Sequence, residues 1–287
     1  MPIPLEEQLE WEKHVNSVYR KRLLYPRKSR EIPKLEAVVQ AAPQKTSAGS
    51  EKYGLIAGSN EKIYCLVPDG KKRFVKAGEA STCVWKFAVF NGVLYHCVTS
   101  GAVYDTLAEK AVFKSRNWLQ GLAVHEGKLY TCGQEGVFDV FANKSVFKNY
   151  LIRDLISYDG KLLGSTSNSA LRFNLIDILN QRAFFSLPDT YNCVLILHNN
   201  QLYLNNEGDI LDYAKGTAIA HRYGRIFAMV SHNSKLYDSG GYRHVFSTLD
   251  DPKGYTPLWA FENGANALAS IPMSIWNKLA ENGKVVK

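Results

Sequence analysis

The sequence predicts an all-β repeat architecture, and three observations predict it. The first is a recurring phrase: VFNGVLY (Val89–Tyr95), VHEGKLY (Val124–Tyr130), SYDGKLL (Ser157–Leu163), LHNNQLY ending at Tyr203 and SHNSKLY ending at Tyr237. Weaker copies, GSNEKIY and SIPMSIW, end at Tyr64 and Trp276. Successive anchors lie 31, 35, 33, 40, 34 and 39 residues apart, a spacing found in proteins built of stacked supersecondary units. The second is an apolar column eight residues before each anchor: Ile56, Phe87, Leu122, Leu155, Leu195, Met229 and Leu268. The third is a two-residue turn inside each strong copy, such as Asn91-Gly92, Glu126-Gly127 or Asp159-Gly160. Asn, Asp and Gly accept the positive φ that a two-residue hairpin requires.

Each unit therefore opens with a short apolar strand, turns tightly, and returns in a second strand ending on Leu-Tyr. A small polar loop leads to a third strand, as in TSGAVYDTL, QEGVFDVF and NEGDILDYA. KAVFK (110–114) and KSVFK (144–148) supply a fourth. Helix-long runs with a period of 3.6 are missing from these units, which argues against a helical solenoid. Four short antiparallel strands repeated several times resemble a β-propeller, over roughly residues 35–287. No Trp-Asp dipeptide occurs, and Gly240-Gly241 is the sole double glycine, so neither the WD40 nor the kelch signature is present.

Seven copies imply seven blades. The last copy offers a strand near Asn266–Ile271, a second near Ser274–Glu281 and a short third, KVVK, after the Asn282-Gly283 turn. An unpaired outer edge would invite aggregation, and Leu35–Ala41 (LEAVVQA) is the expected strand that fills it. Six blades is the alternative, with SIWNKLAEN as a terminal helix. The expected domains are 1–34, a helical extension with a basic linker, and 35–287, the propeller.

The histidine–glutamate pair His125-Glu126 invites a metal or acid/base reading. Its column, however, also holds His198, His232, Phe90, Tyr158, Ser59 and Ile271, so it reads as bulk beside a turn. Repeated Asp105, Asp139 and Asp212 read as elements of blade hydrogen bonding. Cys97 and Cys132 share a column and read as small buried hydrophobes. The anchors Tyr95, Tyr130, Tyr203 and Tyr237 read as packing between blades. No Cys/His spacing of a zinc site occurs, so neither metal nor cofactor is expected.

Propellers usually bind at the face formed by the loops that enter each blade and those that join second to third strands. Here the expected partner-binding residues are Trp85, Lys86, Trp118, Gln120, Arg153, Asp154, Tyr191, Asn192, Arg225, Tyr242, Arg243 and His244. Aromatics mixed with Arg, Asn and Gln match the make-up of binding hot spots. Asn117, Tyr150, Tyr223, Gln134, Glu135, Asn168 and Asn205 to Glu207 belong to the same loop sets.

At the N-terminus, residues 5–24 predict a helix with acids early and bases late, which suits the helix dipole. RKRLLYPRKSR (20–30) carries Arg20, Lys21, Arg22, Arg27, Lys28 and Arg30 and no acid. It is the expected contact for phosphates or an acidic partner.

The totals set the class. The chain has 287 residues, 46% of them hydrophobic, and a net charge of +8. That allows a sizeable core and suits an acidic partner. No window approaches the roughly 18 apolar residues of a membrane span, MPIPLEEQLEWEKH carries no apolar signal core, and five cysteines form no paired framework. The expected location is cytoplasmic, or nuclear in a eukaryote. The expected function is a monomeric, non-enzymatic scaffold that docks a macromolecular partner, a protein or an RNA or ribonucleoprotein, on its top-face loops. The alternative is a small-ligand or carbohydrate binder, or an enzyme working at the central channel. An enzyme needs a convergent acid or nucleophile–base pair, and none stands out among these residues.

Overall fold

A computed structural model describes residues 52–67, 73–148, 150–166, 173–187, 194–206, 208–222, 224–240, 244–250, 252, 258–261 and 264–282. The chain divides into units Met1–Ala41 and Ala42–Lys287, and the described residues all lie in the second. The helix expected over 5–24, the basic run 20–30 and the strand Leu35–Ala41 lie outside them.

Among the described residues the strands form six four-stranded sheets. Each sheet is an antiparallel meander from an inner to an outer strand. The inner strands of blades 2 to 6 are Val84–Phe90, Leu119–His125, Ile152–Tyr158, Leu195–His198 and Met229–His232. Blade 1 is assembled from both ends of the ring. Its inner strand is Ala267–Pro272, followed by Tyr53–Gly58, Lys62–Val67 and Arg73–Glu79.

The ring thus has six blades, not seven, and its closing strand comes from the C-terminal side. The two weak copies are parts of one blade. Ile56 pairs with Ala269 in blade 1 as Tyr95 pairs with Ala88 in blade 2. The GSNEKIY hairpin therefore joins second and third strands, one strand out of phase with the other copies. SIPMSIW forms no hairpin: Pro272 ends the strand and Met273–Asn282 is a helix, where a strand Ser274–Glu281 was expected. The physical reason is local. Pro272-Met273 stands where other copies place Asn, Asp or Gly, so the two-residue turn is missing. The next residues bury Ile275, Trp276, Leu279 and Ala280, the spacing of one helix face. That face covers blade 1 so closely that a Cβ on Gly54 would lie 2.2 Å from Trp276 Cδ1. KVVK lies outside the described residues.

The strong copies fold as their turns predict. Asn91-Gly92, Glu126-Gly127, Asp159-Gly160, Asn199-Asn200 and Asn233-Ser234 all have positive φ at both positions. Asp105, Asp139 and Asp212 accept backbone N–H bonds two or three residues on, as does Asp177 from Asn180. They cap the turn between third and fourth strands. The column histidines do more than fill space. Nδ1 of His125, His198 and His232 lies 2.9 Å from the Oγ of Ser157, Ser231 and Ser270 respectively, each on the next blade. The last of these bonds spans the closure between blades 6 and 1. Cys97 and Cys132 are fully buried.

Candidate functional site: a cavity at the channel mouth

The inner strands of blades 2, 3 and 4 share an irregularity near their start. Val84 pairs with Val98 and Lys86 with Cys97, leaving Trp85 as the extra residue. The same shift leaves Gln120 extra in blade 3 and Arg153 extra in blade 4. A bulge of this kind re-aims a side chain. Here it presents one side chain per blade to a common cavity of about 360 Å³.

That cavity draws on all six blades. It is lined by Trp85, Lys86 and Thr99, by Trp118 and Gln120, by Arg153 and Asp154, by Val194, by Arg225 to Met229, and by Leu268. Residues entering six inner strands converge only around the axis of the ring, so the cavity is the mouth of the central channel. Seven of the expected partner-binding residues meet there: Trp85, Lys86, Trp118, Gln120, Arg153, Asp154 and Arg225. Tyr191, Asn192, Tyr242 and Arg243 lie outside the described residues, as do Tyr223 and Asn168. His244 sits on the third strand of blade 6 beside Phe246, away from the cavity.

A cross-channel ion pair forms the polar wall. Lys86 Nζ of blade 2 donates to Asp154 Oδ2 of blade 4 at 2.8 Å. The same oxygen accepts the Leu195 N–H of blade 5 at 2.9 Å, and Oδ1 accepts the Leu155 N–H at 2.9 Å. The Asp154 side chain is only 5% exposed. One carboxylate thus ties three blades together. Gly121 of blade 3 makes room for it, since a Cβ there would lie 2.5 Å from Cys132 Sγ and 3.1 Å from Asp154 Cα. Burial first, then the Asp154 carboxylate, raises the Cys97 and Cys132 thiols, so both stay protonated and unreactive.

The remaining charges are guanidiniums. Arg153 Nη1 donates to Gln120 Oε1 at 3.0 Å, and its guanidinium carbon lies 5.0 Å from the centre of the Trp118 ring. Burial, and then the neighbouring Arg225, lower the Arg153 pKa. Trp85 donates from Nε1 to Thr99 Oγ1 at 2.8 Å, with its ring 6.4 Å from that of Phe227. Among the described lining residues, three cations face one acid, and that acid is engaged by Lys86. The cavity is electropositive and aromatic.

Several residues of the same loops do other work. Asn205 is 1% exposed and stitches blades 5 and 6, accepting the Val194 N–H and donating to the Ile226 carbonyl. Asn117, Gln134 and Glu135 line a separate recess on blade 3, with Asn117 Nδ2 bonded to Glu135 Oε1 at 2.6 Å. Tyr150 packs on Phe147. The apolar liners Val194, Ile226, Phe227, Ala228, Met229 and Leu268 were not anticipated as site residues. A signal for part of this wall exists. Ten residues before four of the anchors stand Trp85, Gln120, Arg153 and Phe227, four different residues that all line the cavity.

The backbone resembles that of a protein of unknown function from Bacteroides caccae, with a TM-score of 0.52, 12% identity, and 77% of this chain and 99% of that one covered. A second likeness, to the computationally designed Ika8 protein, has a TM-score of 0.44 and 10% identity, covering 76% and 77% of the two chains. No protein-family model and no curated protein sequence matches the chain. The first of these likenesses is one of fold alone, and the sheets of this chain make it a six-bladed β-propeller. No described helix is long and apolar enough to cross a membrane.

Proposed function

We propose that this propeller is a docking protein that holds a macromolecular partner at the mouth of its central channel. The observation that carries this reading is the cavity itself. Bulges in three blades aim Trp85, Gln120 and Arg153 into one electropositive recess. Trp and Arg at the centre of a partly dehydrated patch are the residues that dominate binding energy at protein interfaces. The single described carboxylate of the lining is held by Lys86 and two backbone N–H groups, so it supports the ring rather than an acid/base pair. In this reading the basic segment 20–30 is a second contact.

The test is affinity capture with the intact protein, a deletion of residues 1–34, and Trp85→Ala with Arg225→Ala, identifying both proteins and RNA. The same partner should return with the intact chain and be lost from the channel-mouth variant. Recovery of no partner from any form rejects docking. A small-ligand or carbohydrate binder is the second reading. It is favoured by the cavity volume of about 360 Å³, which falls within the range of roughly 300–1,000 Å³ typical of small-molecule sites. Saturable quenching of tryptophan fluorescence by a free sugar, with no partner captured, would favour it.

A further inference from the structure

We propose that the recess on blade 3 is a second site, which binds a neutral sugar in its hexopyranose form. It shares no lining residue with the channel mouth, so it stands apart from the docking reading. The recess has a volume of about 420 Å³ and is lined by Asn117, Gln134, Glu135, Phe138, Ser145 and Lys148. Asn117 lies on the connection from the outer strand of blade 2, Lys110–Lys114, to the inner strand of blade 3. Gln134 and Glu135 join the second and third strands of blade 3. Phe138 lies on its third strand, and Ser145 and Lys148 on its fourth.

The framework is set before a ligand arrives. The Asn117 N–H donates to Ser115 Oγ at 3.2 Å, and Asn117 Nδ2 holds Glu135 Oε1. The Gln134 N–H donates to the Trp118 carbonyl at 3.3 Å. Gly101 leaves room for the connection, since a Cβ there would lie 2.5 Å from the Asn117 carbonyl oxygen. Phe138 packs on Phe113 of blade 2, with ring centres 5.5 Å apart. Groups held in this way lose little freedom on binding. The scaffold does not account for the polar side chains. Ser145 pairs with Phe138, where blades 2 and 5 place Ala111 and Ala218 opposite the third strand. Among the described residues, the Gln134 amide, the Lys148 ammonium and Glu135 Oε2 have no hydrogen-bond partner.

That combination selects the ligand. One acid and one base leave the recess without net charge, so Glu135 repels an anion and Lys148 repels a cation. Carboxylate, amide, hydroxyl and ammonium groups together offer acceptors and donors. A hexopyranose matches them. Its hydroxyls both donate and accept around the rim, while its C–H face is apolar and suits the half-buried Phe138. Two neighbouring hydroxyls donate to the two oxygens of Glu135, as charge-assisted bonds. Gln134 and Lys148 donate in turn to hydroxyl oxygens.

The experiment titrates the full chain by ligand-observed NMR. The probes are the methyl glycosides of glucose, galactose, mannose and N-acetylglucosamine, and sorbitol, an open-chain polyol without a ring face. At least one glycoside is expected to saturate with a dissociation constant of about 1 mM, a weak affinity suited to so small a ligand. Sorbitol is expected not to bind. Glu135→Ala should weaken the glycoside at least about tenfold, the loss of charge-assisted bonds. Ser145→Ala should weaken it about fivefold, the loss of one neutral hydrogen bond. Glu135 is exposed, and alanine already stands opposite the third strand in blades 2 and 5, so both variants should melt as the wild type does. Saturation by none of the glycosides, equal binding of sorbitol, or indifference to Glu135→Ala overturns the proposal. Binding lost in Trp85→Ala but kept in Glu135→Ala assigns the sugar to the channel mouth and overturns it as well.

Discussion

Asp154→Asn is the most direct probe of how the ring holds its site. The carboxylate is 5% exposed and Lys86 is 19% exposed. Asparagine is isosteric, but it places an NH2 group where one carboxylate oxygen now accepts. Oδ2 serves two donors, Lys86 Nζ and the Leu195 N–H, and Oδ1 serves the Leu155 N–H, so in either orientation the amide NH2 faces at least one donor, and the Lys86 ammonium loses its counter-charge. Removing one partner of a buried ion pair costs about 3–5 kcal/mol. Some solvent reaches Lys86, which favours the low end, while a stranded buried N–H adds about 1–3 kcal/mol. These terms overlap, and a net loss of about 4 kcal/mol is expected. At about 2–4 °C per kcal/mol for a chain somewhat shorter than this one, the melting midpoint should fall by roughly 10 °C. Lys86→Met in the same background removes the stranded ammonium and should restore about 2 kcal/mol, a coupling expected of residues in direct contact. The assay is urea unfolding of wild type, both single variants and the double variant, followed by tryptophan fluorescence. A double variant no more stable than Asp154→Asn alone, with coupling below about 0.5 kcal/mol, would refute the cross-channel pair as a structural tie.

Three further outcomes are expected. Burial of His96, opposed only by Asp105, holds its pKa down to about 4 against 6.5, and its Nε2 meets no hydrogen-bond partner among the described residues. The unfolded chain therefore takes up the proton first. The stabilisation is complete above the unfolded value and is lost as pH falls from about 6.5 to about 4, by about 3 kcal/mol. His96→Phe, which preserves a ring against Tyr104, should remove most of that dependence when urea stabilities at about pH 7.5 and 4.5 are compared. Deleting residues 267–287 removes the inner strand of blade 1 and should abolish cooperative thermal unfolding, whereas deleting 1–41 should leave the melting transition of the ring in place. Ser270→Ala breaks the hydrogen bond between Ser270 and His232 across the closure and should lower stability by about 1 kcal/mol, more than Ser274→Ala, whose side chain is exposed on the terminal helix.

Much of the scaffold was legible because repeated needs leave repeated residues. Positive φ at both positions of a two-residue turn favours Asn, Asp and Gly, so Asn91-Gly92 and Asp159-Gly160 announce their hairpins without any tertiary information, although Glu126 and Ser234 adopt it too. The Leu-Tyr pairs announce the second strands for the same reason. His125 reads as bulk in a column shared with Phe and Tyr, but its bond to Ser157 was invisible. Ser157 lies on another blade, and although Ser157, Ser231 and Ser270 all stand six residues before their anchors, only the stacking of blades brings that column against the histidines of the blade before.

The blade count and the site divide along the same line. Local sequence determined that the units are four-stranded and antiparallel, and that the residues entering each blade differ where the scaffold does not require them to be alike. Only the tertiary structure decided that Tyr53–Gly58 accepts Ala267–Pro272 as its inner neighbour, because closure is a long-range choice of which free edge meets which strand. SIPMSIW counts as a seventh hairpin until Pro272 and the buried face of Trp276 and Leu279 turn it into a helix. The mouth of the channel follows the same rule. Trp85, Gln120 and Arg153 stand in one column of the sequence, but it takes a bulge in each blade and the closure of the ring to make their separate side chains line a single cavity.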